Sequence, residues 1–420
     1  MSLAQPVLGG RLRAAATFVY ITVALDVLAL GIVGPVWPRL VGGFLHDDQT
    51  RTAEMFAIFS FTFAVMQFVC SPLLGALSDH AGRRPVILAS NFGLALEYLV
   101  MAVAPSIGWL FVGRVAAGAT SASTSAAYAY IADVTPAEKR AAAFGLIGAA
   151  FGFGFVFGPV LGGVLGHIEP RLPFWVAGAL SLANGLYGLL VVPESLKAEN
   201  RARFTFSRAN PVAALRLLAS QRQLLGLAGV NFLAQLGHGV FIGAWALYVW
   251  NRYGWGPLWT GISMGVVGLS SVVIQATMVR PIVARLGERR ALMLGLFSGA
   301  TGFWIFALAP WGWMFLAGIP IMCLWGLTSP SIQALMTRRV GPDAQGRLQG
   351  ANAAVGSVAN LIGPAAFAGL FALGWAWRGY GLVGLPFLVS GFLLFLAMLT
   401  AWRVTAAAGI DVQPSPEAAA

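Results

Sequence analysis

Twelve stretches of this chain, each close to 20 residues or a little longer, carry almost no charge. They lie near 14–38, 55–76, 86–105, 109–131, 142–166, 173–193, 223–250, 258–280, 291–309, 313–336, 348–373 and 380–402. A bilayer crossing needs about 20 mostly apolar residues. Hydrocarbon holds no water to satisfy an open backbone, so each such stretch must be a helix or part of a closed barrel. At this length and hydropathy they read as helices. Of the 420 residues 58% are hydrophobic and 10% charged, against about 25% charged in average soluble domains. The chain is therefore expected to be an all-α integral membrane protein with twelve transmembrane helices, spans 1 to 12.

Arginine and lysine give the orientation. With the N-terminus in the cytoplasm, inside segments hold 20 of them and outside segments 5, with Arg114 left inside span 4. Both termini are then cytoplasmic. The same split accounts for the net charge of +11 without any nucleic-acid partner. Cys70 and Cys323 fall inside apolar runs, so neither a disulfide framework nor a metal site is expected. No cleavable signal peptide is evident, because the first apolar run is long enough to span and no short flank with a small-residue cleavage site follows it.

Sliding the chain on itself by 205 residues pairs Gly34 with Gly239, Gly82 with Gly287, Arg84 with Arg289, Gly145 with Gly350, Gly158-Pro159 with Gly363-Pro364, and Asp26 with Asn231. Two pseudo-symmetric six-helix bundles, 1–193 and 223–404, are expected, joined by a cytoplasmic linker at 194–222 and followed by a cytoplasmic tail at 405–420. Within the linker, "PVAALRLL" reads as a short surface helix. Paired bundles imply a substrate path between them near the midplane.

The loop after span 2, "GALSDHAGRRP", sets Asp79 at the end of one helix and Arg83-Arg84 at the start of the next. The acid can cap helix N–H groups or pair with an arginine. A latch that breaks during transport and a plain positive-inside turn with a capping acid fit this loop equally well. A weaker copy, "VARLGERRAL", follows span 8 and lacks an acid between Arg280 and Ala284, and with it the basis for a second latch. Span 5 carries Gly145, Gly154, Gly158, Pro159, Gly162 and Gly163 in the spacing G-x8-G-x3-G-P-x2-G-G. Small residues let helix backbones approach, and the proline can bend the helix. In span 4, Arg114, Gly118, Ser121, Ser125 and Tyr128 recur at helical spacing as one small, polar stripe.

These stretches resemble the major facilitator superfamily. The span 2 loop looks like its G-x-x-x-D-x-x-G-R-R signature, and span 5 resembles the antiporter signature of its drug/proton exchangers. Arg114 matches the span 4 arginine that this group links to proton transfer. With "LDVLALGIVGPVWPRL", "EYLVMA", "YIADVTPAEKRAAAFG" and "PSIQALMTRRV", nearly the whole chain is most similar to bacterial tetracycline/proton antiporters. The resemblance implies export rather than uptake, in a bacterial inner membrane.

Three charges lie within the spans of the first half: Asp26, Glu97 and Arg114. Burying an ionised carboxylate without a partner costs several kcal/mol, or the group takes up a proton instead. Asp26 and Glu97 are therefore candidate proton carriers, with Arg114 setting their affinity. The alternative is a static Glu97–Arg114 pair that only holds two helices together. In the tetracycline group the acid matching Glu97 is usually aspartate, and Asp26 matches the group's span 1 acid.

Polar residues at shared helical faces mark a substrate cavity: Asn231, Gln235 and His238 in span 7, Gln275 in span 8, Gln333 in span 10 and Asn352 in span 11. Interhelical hydrogen bonding would use the same residues. The sequence departs from the tetracycline group at Gly299, where an acid is expected, and at Ser271, where a histidine is. Taken together the expectation is a monomeric, proton-driven exporter of a small amphipathic, drug-like compound. A metabolite/proton symporter of the same fold is the alternative. No Ser-His-Asp set, HExxH, phosphate loop or cysteine cluster points to an enzyme, and no cofactor is expected.

Overall fold

The computed structural model describes residues 5–121, 123–136, 139–196, 199, 201, 218, 222–340 and 345–406. The "PVAALRLL" segment apart from Leu218, most of the linker and most of the tail lie outside the described residues. Among the described residues sixteen α-helices are delimited: α1 (Gln5–Val33), α2 (Trp37–Gly43), α3 (Gln49–Ala81), α4 (Arg83–Val103), α5 (Ile107–Thr120), α6 (Ser123–Val134), α7 (Arg140–Ile168), α8 (Leu172–Val191), α9 (Arg222–Gly243), α10 (Trp245–Tyr253), α11 (Pro257–Thr277), α12 (Val279–Leu308), α13 (Gly312–Cys323), α14 (Thr328–Thr337), α15 (Gln345–Ala376) and α16 (Leu385–Ala406). Three short 3-10 turns complete the described chain, which holds no strand.

Among the described residues ten helices are long and apolar enough to cross a membrane, or eleven if α1 and α2 count as one bent span. The bend between them is 43°. Its cause is local: Pro35 has no N–H to continue the α1 ladder, and Pro38 sits in the first turn of α2, where that lack costs nothing. Helix α3 runs 33 residues, about 50 Å, so its ends project beyond a hydrocarbon core of about 30 Å. Large apolar side chains such as Leu190, Ile168 and Phe392 are exposed, as lipid-facing residues are.

The stretch read as one helix over 109–131 is instead two. Helix α5 ends at Thr120, Ser121 leaves helical geometry (φ −76°, ψ 74°), and α6 begins at Ser123. Gly118 explains the crowding one turn earlier. A Cβ there would stand 2.5 Å from the Phe63 carbonyl oxygen and 2.7 Å from Met66 Cβ of α3. Gln67 Nε2 of α3 donates to Ser121 Oγ at 2.9 Å, engaging the break. The expected polar stripe is therefore interrupted, and Ser125 and Tyr128 belong to a different helix from Arg114.

Contacts divide the chain into two units: Met1–Asn210 with Ile242–Gly268 and Pro364–Ala376, and Pro211–Phe241 with Leu269–Gly363 and Trp377–Ala420. These units cut across the halves expected from the repeat. In the first, α7 lies backbone to backbone against α1. A Cβ on Gly158 would reach Gly31 Cα at 2.8 Å and Leu28 O at 2.9 Å, and one on Gly154 would reach Val27 at 2.7 Å. Gly162 faces the Ile32 carbonyl, and Gly163 faces Pro257 and Gly261 of α11. In the second unit Gly363 of α15 faces Gly239 of α9 at 3.2 Å. There α12 meets its neighbours through Gly295 against Thr328, Gly299 against Trp325 and Gly302 against Met322. Phe303, Phe306, Phe315 and Phe387 pack ring on ring beside that crossing, at centroid distances of 4.4 to 6.2 Å.

The span 5 glycines are thus unequal. Gly145 has nothing within 4 Å of an added Cβ, whereas Gly162 meets backbone. Gly162→Ala should destabilise the purified protein by about 1–3 kcal/mol, the usual cost of overpacking, while Gly145→Ala should be neutral or slightly stabilising. Thermal unfolding in detergent checks this, and equal effects of the two changes would refute it.

Candidate functional site

Helix α4 packs against α5 and α8, and Glu97 lies on its buried face beside Ser90, Asn91 and Tyr98. The Glu97 side chain is 2% exposed, and its Oε1 stands 3.3 Å from Arg114 Nη1 of α5. A charge-assisted N–H···O bond is ordinarily about 2.7–2.9 Å. Consistent with that gap, neither Glu97 Oε1 nor Arg114 Nε has a hydrogen-bond partner among the described residues. The guanidinium is held from its faces instead: Arg114 Cζ lies 4.5 Å from the Trp37 ring centre and 5.5 Å from that of Phe63.

Asp26 stands in a separate hydrogen-bonded group. Asn184 Nδ2 of α8 donates to Asp26 Oδ1 at 3.2 Å, and Thr22 Oγ1 donates to Asn184 Oδ1 at 3.1 Å. Asp26, Glu97 and Arg114 all act electrostatically on Tyr98, so the two groups share that ring as a neighbour. Asn184 was missed in the sequence, where its only signal is an amide inside the apolar run "SLANGLYGLL".

The α3–α4 turn is a network. Arg83 Nη1 donates to Asp79 Oδ1, and Arg83 Nε donates to Asp133 Oδ2 of α6 at 3.2 Å. Ser195 Oγ also donates to Asp133, at 3.0 Å. Asp79 pairs with arginine; it does not cap α4. That role belongs to Glu194, whose carboxylate accepts from Arg83 N at 2.8 Å and Arg84 N at 3.2 Å. Arg84 Nη2 donates to the Leu189 carbonyl at 2.6 Å. Gly82 makes the turn, with φ of 116°, a region that favours glycine.

The weaker copy forms the same turn with its charges exchanged. Gly287, 205 residues after Gly82, has φ 75° and ψ 161° where Gly82 has φ 116° and ψ 164°. At that same offset Arg83 becomes Glu288 and Asp133 becomes Arg338, and Glu288 accepts from Arg338. No acid stands between Arg280 and Ala284, as the sequence shows, yet an ion pair joins the equivalent helices in the opposite polarity.

Four of the six predicted cavity residues meet in one place. Asn231, Gln235, Gln333 and Asn352, with Ser329, Ile332, Gln349 and Ala353, line a cavity of about 280 Å³ in the second unit. Asn352 Nδ2 lies 3.4 Å from Gln333 Oε1, and Asn352 Oδ1 has no partner among the described residues. Gln349 was missed; its signal is its place one turn before Asn352 on α15. His238 and Gln275 do not line this cavity. The His238 ring lies tilted against those of Phe241 and Trp325, with centres 5.1 and 5.7 Å away. Gln275 is exposed, and Ser271 Oγ reaches Cys323 Sγ at 3.5 Å. At Gly299 a Cβ would stand 2.7 Å from Leu394 and 3.0 Å from Trp325, which leaves no room for an acid without a shift.

The sequence pattern of the Major Facilitator Superfamily matches residues 19–364. The class C tetracycline resistance protein of Escherichia coli is 37% identical over 383 residues, covering 91% of this chain and 94% of its own. Two solved structures share the fold. The human organic anion transporter MFSD10 (TETRAN) has a TM-score of 0.67 at 24% identity, covering 93% of this chain and 99% of its own. A D-xylose-proton symporter has a TM-score of 0.73 at 15% identity, covering 93% and 98%.

The exchanged pair yields a charge-swap test. Glu288→Arg should destabilise the protein by no more than ~1 kcal/mol, because Arg338 is 62% exposed and solvent screens the pair. Adding Arg338→Glu should restore most of the loss. A double variant no better than the sum of the single ones, in a thermal double-mutant cycle, would show that the two do not interact.

Proposed function

The chain belongs to the major facilitator superfamily, a family of membrane transporters and not of enzymes, and from that premise we propose that it exports a small amphipathic, drug-like compound against protons. The resistance protein to which it is 37% identical supports a tetracycline-type substrate, and the span 5 glycine pattern supports export. In this reading α1 with α2 and α5 with α6 each form one interrupted span. Twelve crossings then place both termini in the cytoplasm of a bacterium, with 1–193 and 223–404 as the two rocking halves of a functional monomer in the inner membrane.

The observation that carries the reading is the pairing of Glu97. A carboxylate that is 2% exposed inside a span touches one cation at 3.3 Å and gains no hydrogen bond from it. A structural ion pair in hydrocarbon needs good geometry to offset desolvation, and this one lacks it. A group that must take up and release a proton is better served by such a loose partner. Glu97 accepts a proton from the outer side, loses its attraction for Arg114, and gives the proton up on the cytoplasmic side. Asp26, hydrogen-bonded through Asn184, is the second carrier. Asp79, Arg83 and Arg84 latch the cytoplasmic turn, and the amide-lined cavity receives part of the substrate.

Inverted vesicles with an acid interior test this. Tetracyclines, then other amphipathic drugs, should collapse the gradient in wild type. Glu97→Gln should reduce that collapse at least tenfold while the purified protein keeps its thermal stability. Loss of stability with normal residual exchange would instead identify a static ion pair. Gradient-driven uptake of a metabolite, with no drug response, would favour the symporter.

The cavity makes its own prediction. Removing the Asn352 amide in Asn352→Ala should raise the concentration of drug needed for half-maximal collapse several-fold, as expected from loss of one or two hydrogen bonds. An unchanged half-maximal concentration would exclude Asn352 from the substrate path.

A further inference from the structure

Helix α2 is seven residues long, yet it meets two places of interest. On one side Trp37 lies over Arg114. On another, Arg39 Cζ lies 5.5 Å from the Trp250 ring, and a Cβ on Gly42 would stand 3.2 Å from that ring. Trp37 is itself wedged by Phe56, Phe59 and Phe174, at 6.4, 5.8 and 6.1 Å between ring centres. Its indole is 4% exposed and held from several directions.

We propose that Trp37 is a positioning residue of the proton site, whose indole face carries part of the Arg114 charge so that Glu97 can become neutral without stranding a bare guanidinium. The inference deepens the proton-coupled reading and rests on it for its functional meaning. A bare cation in hydrocarbon would strongly oppose protonation of its only carboxylate partner. Cation–π attraction is largest for an indole and grows where water is excluded. At 4.5 Å the indole is within its range, and Phe63 adds a second, more distant face. The loose 3.3 Å contact with Glu97 fits a cation already held elsewhere.

The groups that could compete are few. Arg114 is the one charge identified as acting on Glu97. Tyr98 follows it on α4, and Asp26 of α1 acts on that tyrosine. Helix α8 has no charged residue, α3 has none between Glu54 and Asp79, and the one charge on α2, Arg39, is spent on Trp250.

Replacing Trp37 with leucine removes packing as well as charge support, so the decisive series keeps the shape. Tryptophan bearing one, two or four ring fluorines, placed at position 37 alone by suppression, weakens the π face stepwise at nearly constant size. The readout is the infrared carboxyl band of the purified protein in lipid, assigned to Glu97 by its loss in Glu97→Gln, followed against pH. The expected result is a stepwise acidic shift of the pH at which the band appears, roughly one pH unit (tenfold in proton binding) across the series. The cause is that Arg114, deprived of the ring, leans on ionised Glu97. Gradient collapse in vesicles should shift in parallel. Trp37→Tyr, folded and aromatic, should fall between wild type and the tetrafluoro form. A flat series or an alkaline shift in folded protein would overturn the proposal and leave Trp37 as packing alone. If the band shifts as expected but no drug collapses the gradient, the positioning role stands and the export reading fails.

Discussion

A helix already in lipid gains little by hiding apolar side chains from a solvent that is equally apolar. What binds such helices is close approach of their backbones, and the rest of this structure depends on where that approach is possible. Along α1 and α7 it occurs at Gly31, Gly158 and Gly162, where backbone faces backbone, and at Gly154, which lies against Val27. That crossing fixes the face of α1 that carries Thr22 and Asp26. Gly118 does the same for α5 against α3, and its neighbouring break is engaged by a side chain of α3.

Those charges are under-partnered by the standards of a soluble core. A buried carboxylate and a buried guanidinium would normally form two parallel hydrogen bonds. Glu97 and Arg114 form none, while two aromatic rings lie near the guanidinium. The export reading asks for two protonation states close in energy, and loose pairing suits that better than a tight ion pair would. The turn between α3 and α4 shows the opposite. Arg83 reaches three side chains and Glu194 three backbone N–H groups, so that joint is built to hold until something breaks it.

Hydropathy made the helices legible, and glycine made the repeat legible. Both signals are local and survive without knowledge of the fold. Partner choice was not legible. Asp133 lies 50 residues from Arg83, and Glu194 lies 111 residues away; nothing in either stretch names its partner. The ion pair at the second turn was not legible for a related reason. A search for an acid at the position of Asp79 assumes that a repeat keeps charge type, whereas ion pairing only requires opposite signs, so Glu288 and Arg338 satisfy it with the signs exchanged. The break at Ser121 escaped because serine, alanine and threonine are acceptable in a membrane helix; the crowding at Gly118 comes from α3, far away in sequence. The approach of Trp37 to Arg114 joins residues 77 positions apart, and nothing local to either names the other.

The division of chemistry between the two units bears on coupling. Asp26, Glu97 and Arg114 belong to the first unit, and every residue lining the amide cavity belongs to the second. The cavity lining has no formal charge, and Gly299, packed against Trp325 and Leu394, has no space for one. In the proposed reading Glu97 carries the proton and this cavity takes the substrate, so exchange does not run by displacement at a shared carboxylate. Under that reading the two communicate through the equilibrium between conformations, each binding event favouring one arrangement of the helices by its differential affinity. Coupling of that kind needs an element that is rigid in itself and sensitive to both partners. Helix α2 supplies the proton side of such an element: Trp37 lies on the Arg114 guanidinium and Arg39 on the Trp250 ring, both within the first unit.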